Sequence, residues 1–228
     1  MNDLNHIAFI MDGNGRWGLK KNKNRNYGHL EGVKTVKKIV EASISFKVPV
    51  ITFYVFSSEN WKRPKTEINY LFKLIKIYFK KEINSIVKNN IKINILGRLK
   101  SVPPETRKIL ISTIKKTKKN QKLTVNLAIN YGSRNEIVDS VKKLNLNSKI
   151  INESNISRNL YLDLPSPDIL IRTGGQKRLS NFMLWQLAYT EFFFLDKLWP
   201  DFSKNDLKKI IKKYKSITRN FGDISHDE

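Results

Sequence analysis

Apolar residues along the chain fall into short runs that alternate with longer stretches of helical spacing. The runs Ile7–Met11, Val50–Phe56, Ile91–Leu96, Leu123–Ile129, Asp168–Ile171 and Glu191–Leu195 have strand length and are rich in Ile, Val and Phe. Several are apolar at consecutive positions, which suits strands covered on both faces in a mostly parallel sheet. Between them, Leu30, Val33, Val36, Val40 and Ile44 form one helical stripe. Ile68, Leu71, Phe72, Ile75, Phe79, Ile83, Ile86 and Val87 form a longer one, with Thr66 as its expected N-cap. Pro103-Pro104 opens a third helix. Arg134–Leu144 makes a fourth, and Ser203 to Asp206 is a capping-box start for a last helix over Leu207–Ile217. The alternation predicts one α/β domain over residues 1–228, with a central six-stranded, mostly parallel sheet flanked by helices.

Open α/β sheets bind ligands at the carboxyl ends of their strands, so the segments that follow the strands are the places to look for chemistry. After the first comes Asp12-Gly13-Asn14-Gly15-Arg16-Trp17. Two glycines allow close backbone approach to phosphate, Arg16 offers a forked donor, and Asp12 could hold Mg2+. A tight turn uses the same residue types. Arg25 and His29 follow as further anion donors. After the second strand, Ser57-Ser58-Glu59-Asn60-Trp61-Lys62-Arg63-Pro64 combines hydroxyls, an amide, an aromatic ring and an Arg, and serves equally as an approach to the next helix. Asn130-Tyr131-Gly132-Ser133-Arg134 reads mainly as a turn and a helix start. Arg172 to Asn181 gathers two Arg, one Lys, two Gly and two hydroxyls, a second phosphate-type loop or a solvated basic one. Two anion-seeking loops and a long apolar helix suit a substrate with phosphate heads and a greasy tail. No nucleophile elbow, Ser-His-Asp order or His-rich metal site is present.

Composition sharpens this picture in two ways. The 228 residues include no cysteine, which removes thiolate nucleophiles, disulfides and Cys-ligated zinc. Lys and Arg number 43 against 20 Asp and Glu, a formal net charge of +23 that points first to nucleic acid or an anionic membrane. No RNP aromatic pair, GXXG loop or paired zinc ligands mark a nucleic-acid module, so no specific nucleic acid is expected. The Lys-Asn-Ile bias is also what an AT-rich genome writes. Lys34, Lys37, Lys73, Lys76, Lys80, Lys208 and Lys212 fall on predicted helix faces, whereas the arginines concentrate in the loops above. No signal peptide and no membrane-length apolar run are found, so a soluble cytoplasmic chain is expected, with peripheral contact at the inner membrane face left open.

The segments His6–Trp17, Phe56–Pro64, Asn130–Arg134, Ile171–Phe182 and Leu198–Phe202 together resemble the cis-prenyltransferase family, and most closely its bacterial undecaprenyl diphosphate synthases. The resemblance covers nearly the whole chain, with the motifs in the family's order and spacing. It implies a homodimer and a hydrophobic tunnel between sheet and helices. The implied reaction is Mg2+-dependent addition of isopentenyl diphosphate, repeatedly, onto farnesyl diphosphate with cis double bonds. Undecaprenyl diphosphate, the lipid-carrier precursor for cell-wall synthesis, would be the product. By position, Asp12 and Glu191 would bind Mg2+, with Asp12 also aiding departure of the allylic diphosphate. Gly13, Asn14, Gly15, Arg16, Arg25 and His29 would hold that diphosphate, beside Trp17. Asn60 would help proton removal, within a pocket of Ser57, Ser58, Glu59, Trp61 and Arg63. Arg172, Arg178, Leu179 and Ser180 would hold the isopentenyl diphosphate. Gln176 and Lys177 stand where the family often has Glu and then His or Gln, which makes the second loop more basic. Val55 stands on the tunnel wall where a smaller residue is common.

Overall fold

The computed structural model describes residues 2–219. Six strands form one sheet: β1 (His6–Ile10), β2 (Val50–Ser57), β3 (Ile91–Leu96), β4 (Leu123–Tyr131), β5 (Ile169–Arg172) and β6 (Glu191–Phe194). Their order is β3-β4-β2-β1-β5-β6, and all five pairings are parallel. All six expected strands are present, to within one or two residues at each end. The helices are α1 (Asn14–Lys20), α2 (Arg25–Ser45), α3 (Lys65–Lys88), α4 (Pro104–Thr117), α5 (Ser133–Leu146), α6 (Glu153–Asn159) and α7 (Lys204–Lys215).

Two helices depart from expectation. The residues after β1 are not all loop, because Asn14 to Lys20 coil into α1. The short α6 carries no apolar stripe that would announce it. The cap of α3 also differs. Pro64 holds the N-cap position, its fixed φ of −53° feeding the chain into the helix and its carbonyl accepting from Glu67 N at 3.0 Å and Ile68 N at 3.1 Å. Thr66 lies inside the first turn. The capping box at α7 forms as expected: the Ser203 hydroxyl accepts from Asp206 N, and the Asp206 carboxylate accepts from Ser203 N.

Alternation along β1 sends Ile7 and Phe9 to one face of the sheet, with Ala8 and Ile10 to the other. The first face packs against α2, α3, α4 and α7 through Phe53, Ile39, Phe72, Leu110, Leu207 and Trp199. Phe9 stacks on Phe53 with centroids 5.0 Å apart, and Trp199 closes edge-on against both.

The second face carries a polar row across four strands. Asn94 of β3 donates to Asn126 of β4 at 3.0 Å, and Asn126 donates to Thr52 of β2 at 3.1 Å. Thr52 Oγ1 meets His6 Nε2 of β1 at 2.7 Å, and His6 Nδ1 meets the carbonyl of Pro165 at 2.6 Å. A carbonyl only accepts, so Nδ1 carries the proton and Nε2 accepts from the hydroxyl. Burial of the ring dominates and lowers the His6 pKa to about 4, although the Pro165 bond and the Asp168 charge oppose it. The folded chain therefore refuses a proton that the unfolded imidazole accepts below its ordinary 6.5. The stabilisation is whole above that value and is lost as pH falls towards 4. Stability is expected to be about 3 kcal/mol lower at pH 4 than at pH 7 from His6 alone. Urea unfolding at the two values measures the difference, and His6→Gln should flatten it. His29, also lowered, adds to the same window.

Candidate active site at the carboxyl ends of β1, β2 and β5

The chain leaves β1, crosses through α1 and α2 to β2 on one side, and later places β5 on the other side of β1. A crevice of this kind sits at the carboxyl edge of an α/β sheet where the strand order diverges. A cavity opens there, walled by Asp12, Gly13, Asn14, Gly15 and Arg16 after β1. Arg25 and His29 from α2, Ser57, Asn60 and Arg63 after β2, and Arg172 and Ser180 from the β5 side complete its polar wall. Four guanidinium groups face one carboxylate on this wall, an arrangement that attracts anions.

Asp12 sits between two of those cations. Its Oδ1 accepts from Arg16 Nη2 at 3.1 Å and its Oδ2 from Arg172 Nη2 at 3.0 Å. Its backbone carbonyl is fixed by the Thr173 hydroxyl at 2.8 Å and Trp199 N at 3.0 Å. Gly13 follows at φ 105°, in the left-handed region, with Leu198 pressed against it. Arg172 is only 4% exposed, and it also donates to the Arg178 carbonyl and the Ser180 hydroxyl. Its Nε and the Asn14 Oδ1 are among three buried side-chain polar atoms without a partner among the described residues. Both belong to residues on the cavity wall, which leaves the wall with unfilled hydrogen-bonding capacity.

Behind the wall stands Glu67 of α3, which the sequence reading passed over. Its carboxylate accepts from Arg25 Nε at 2.9 Å, Arg63 Nη1 at 3.1 Å and His29 Nε2 at 3.2 Å. Burial pushes this carboxyl up, but the bond and charge of Arg25, the charge of Arg63 and the His29 bond outweigh it and hold the group below the usual range. Glu67 in turn raises the Arg25 guanidinium. Burial keeps His29 below its ordinary value, assisted by the two arginine charges and opposed by Glu67. At neutral pH His29 is thus an uncharged ring. The i,i+4 spacing of Arg63 and Glu67 was the one sign of this contact in the sequence.

Several expected site residues lie off the wall. Trp61 packs on Phe56 and Phe72, and its indole N–H donates to Asn130 Oδ1 at 2.7 Å. Trp17 stacks on Tyr27 and donates to Asp201 at 2.7 Å. Ser58 and Glu59 join the loops together. The Glu59 carboxylate accepts from Ser58 Oγ at 3.1 Å and Asn181 Nδ2 at 2.8 Å, and Asn181 Oδ1 accepts from Arg134 N. Burial raises Glu59, and these bonds prevail and lower it. Arg178 donates to Gln176 Oε1 at 2.5 Å, and neither it nor Leu179 is on the cavity wall. Glu191 pairs with Ile169 at the start of β5, so in a parallel sheet it stands at the end opposite Asp12. Within one chain the two carboxylates do not share a site. Among the described residues no group of three His, Asp or Glu gathers for a metal.

Further cavities adjoin it. Met11, Asn14, His29, Val55 and Leu71 also wall a second, mostly apolar cavity reaching Val33, Leu74, Ile75 and Phe79. Val36, Tyr78, Phe79 and Leu127 are shared with a third, between α2, α3 and the sheet. A polar mouth thus adjoins two mostly apolar cavities along α3, between the sheet and the helices where the tunnel was expected.

The family model described as "Putative undecaprenyl diphosphate synthase" matches residues 10–222. An isoprenyl transferase of Halalkalibacterium halodurans is 46% identical over 227 residues, covering 96% of this chain and 89% of that protein. One of Fusobacterium nucleatum is 45% identical over 222 residues, covering 97% and 96%. Among solved structures, one described as a probable undecaprenyl diphosphate synthase from Campylobacter jejuni superposes with a TM-score of 0.85 at 36% identity, covering 97% of this chain and all of that one. Lavandulyl diphosphate synthase from Lavandula x intermedia, in complex with dimethylallyl diphosphate, gives 0.92 at 30% identity, covering 96% and 98%. A parallel α/β sheet with a cationic mouth and adjoining apolar cavities is here the architecture of a prenyl-group transferase. The chain belongs to the undecaprenyl diphosphate synthase family of cis-prenyltransferases.

Proposed function

We propose that the protein condenses isopentenyl diphosphate repeatedly onto an allylic diphosphate, farnesyl diphosphate, to give undecaprenyl diphosphate. One observation carries this reading: the cationic cavity shares a wall with a mostly apolar cavity, and that one with a third, in a row along α3. Such a space suits a molecule with a diphosphate head and a hydrocarbon tail. The relative solved with dimethylallyl diphosphate supports an allylic head group.

In this reading Arg16, Arg25 and Arg63 hold the allylic diphosphate, with His29 beside them on the cavity wall and Arg172 and Ser180 on the isopentenyl diphosphate. Each charge-assisted hydrogen bond contributes roughly 1.5–3 kcal/mol, so four or five donors hold a diphosphate firmly. The allylic C–O bond breaks, a C–C bond forms to the terminal alkene carbon of isopentenyl diphosphate, and a proton leaves the CH2 on the far side of the internal alkene carbon, so that the new double bond forms between those two carbons. Donors already aimed at the departing oxygens stabilise the charge that develops there. Asn60 Oδ1 accepts from Ser57 N at 3.1 Å, so its amide N–H is the group left to meet substrate. We therefore assign Asn60 to orientation and the proton to a diphosphate oxygen, since an amide is a poor base.

Mg2+ prefers one or two carboxylates together with substrate phosphates. Asp12, 29% exposed at its side chain and the one carboxylate on the described cavity wall, fits that preference. When bound, the ion supplies charge neutralisation to the diphosphate, and Asp12 would hold it. A second ligand from Glu191 of the same chain does not fit the sheet register.

Pairing of two copies is part of the proposal. β6 is an edge strand with Phe192 43% exposed, Tyr189 is exposed just before it, and Leu146, Ile150 and Ile151 are exposed at and after the end of α5. No helix among the described residues is long and apolar enough to cross a membrane, so contact with the membrane that takes up the product would be peripheral. The test is incubation of purified protein with farnesyl diphosphate, labelled isopentenyl diphosphate and Mg2+, followed by extraction and sizing. Products of undecaprenyl length are expected. A folded protein that elongates nothing removes the enzyme reading, and a product only a few units longer than the primer removes the undecaprenyl one.

A further inference from the structure

We propose that Glu67 is a positioning residue that sets Arg25, His29 and Arg63 as one unit in the diphosphate cradle, an inference that rests on the diphosphate reading above. Its three partners come from two different elements. Arg25 and His29 sit on the first turns of α2, and Arg63 ends the turn after β2, three residues beyond Asn60. Among the described residues, Glu67 on α3 is the group that hydrogen-bonds all three.

An ion cluster serving stability alone would bury its cations with its carboxylate. Here the exposures diverge. The Glu67 side chain is 9% exposed, while those of Arg25 and Arg63 are 48% and 35% exposed and face the cavity. The carboxylate takes Nε and one Nη of Arg25 and one Nη of Arg63. A guanidinium has five N–H donors in a fixed plane, so the rest of each fork is aimed at the cavity. The bond from His29 Nε2 fixes the uncharged ring as the Nε2–H tautomer, leaving Nδ1 bare. Glu67 therefore touches no substrate in this scheme. It sets the angle at which the two guanidinium groups meet the allylic diphosphate, holds the His29 ring beside them, and ties the α2 side of the cradle to the side that bears Asn60.

A charge behind the cradle that orients its donors has a distinctive signature. Glu67→Gln keeps the shape and removes the charge. It also takes a negative group away from an anion site, so inorganic diphosphate should bind as tightly as before or more tightly. Turnover depends on angle, and misplacement of about 1 Å costs on the order of 100-fold. The expected result is kcat/KM for farnesyl diphosphate lower by about 100-fold. Calorimetric affinity for inorganic diphosphate stays within about threefold or improves, and the thermal midpoint holds. Glu67→Asp, with the carboxylate drawn back by one methylene, should show the same split with a loss of about tenfold. Elongation by Glu67→Gln within about threefold of the parent would overturn the proposal. So would joint loss of turnover, diphosphate affinity and thermal midpoint in both variants, which marks a structural role. A parent protein that elongates nothing indicts the functional reading instead.

Discussion

Asp12→Asn is expected to lower turnover by about 100- to 1000-fold while leaving the fold intact. Loss of one preorganised charge stabiliser at a reacting centre costs on the order of 3–4 kcal/mol in the barrier. Asparagine keeps the shape and one carbonyl, so Arg172 retains an acceptor in place of the bond now 3.0 Å long. The backbone of residue 12 is pinned from both sides by Thr173 and Trp199 whatever its side chain. A shift in thermal midpoint of no more than a few degrees is expected, because the Arg16 contact is largely exposed. Steady-state elongation with and without added Mg2+, next to a thermal melt, separates the two effects. A fully active Asp12→Asn protein would remove the metal assignment.

The second large effect comes from Gly28. By helix propensity alone, Gly28→Ala in the first turns of α2 should stabilise the protein by up to about 1 kcal/mol. Packing reverses the sign. A Cβ at Gly28 would lie 1.8 Å from the Asn14 carbonyl oxygen and 3.0 Å from Gly18 N, both backbone atoms of α1. Backbone cannot swing aside as a side chain can, so α1 must move away from α2 by more than an ångström. Overpacking of this kind costs about 3 kcal/mol. For a chain of this size that corresponds to roughly 6–12 °C in thermal midpoint. Turnover should fall too, because Arg16 rides on α1 and Arg25 and His29 on α2. A melt unchanged from the parent would show that the two helices are less tightly apposed than described.

Strand positions were legible because apolar runs covered on both faces have few other readings. The Asp12–Arg16 segment was legible as part of a polar site at the strand ends, where it lines the cavity, but not as a helix, since Asn14-Gly15-Arg16-Trp17-Gly18 lacks an apolar stripe. The tryptophans lie off the cavity wall. Trp17 and Trp61 sit in motifs rich in polar groups, yet each half-buried ring packs against other aromatics and uses its N–H as a tether. Glu67 escaped notice because it is one carboxylate in a long amphipathic helix, where the ordinary expectation is a solvated face. Glu191 could have been placed from the pattern. The first residue of a strand in a parallel sheet lies at the end away from the ligand-binding loops.

The ion pair between Asp12 and Arg172 joins residues 160 positions apart, and Arg16 meets the Gly174 carbonyl across 158. No strand pairs with its neighbour through a hairpin, so every ladder closes over a long stretch of chain. A nascent chain that has reached residue 90 already contains Asp12, Arg16, Arg25, His29, Asn60 and Arg63, but nothing of the opposite wall. Competence therefore arrives in one step, when β5 slides in beside β1 and carries Arg172 to Asp12. Such distant closure is the slow kind of folding event. Recovery of elongation during refolding should then follow the slowest spectroscopic phase, with no partial activity before it.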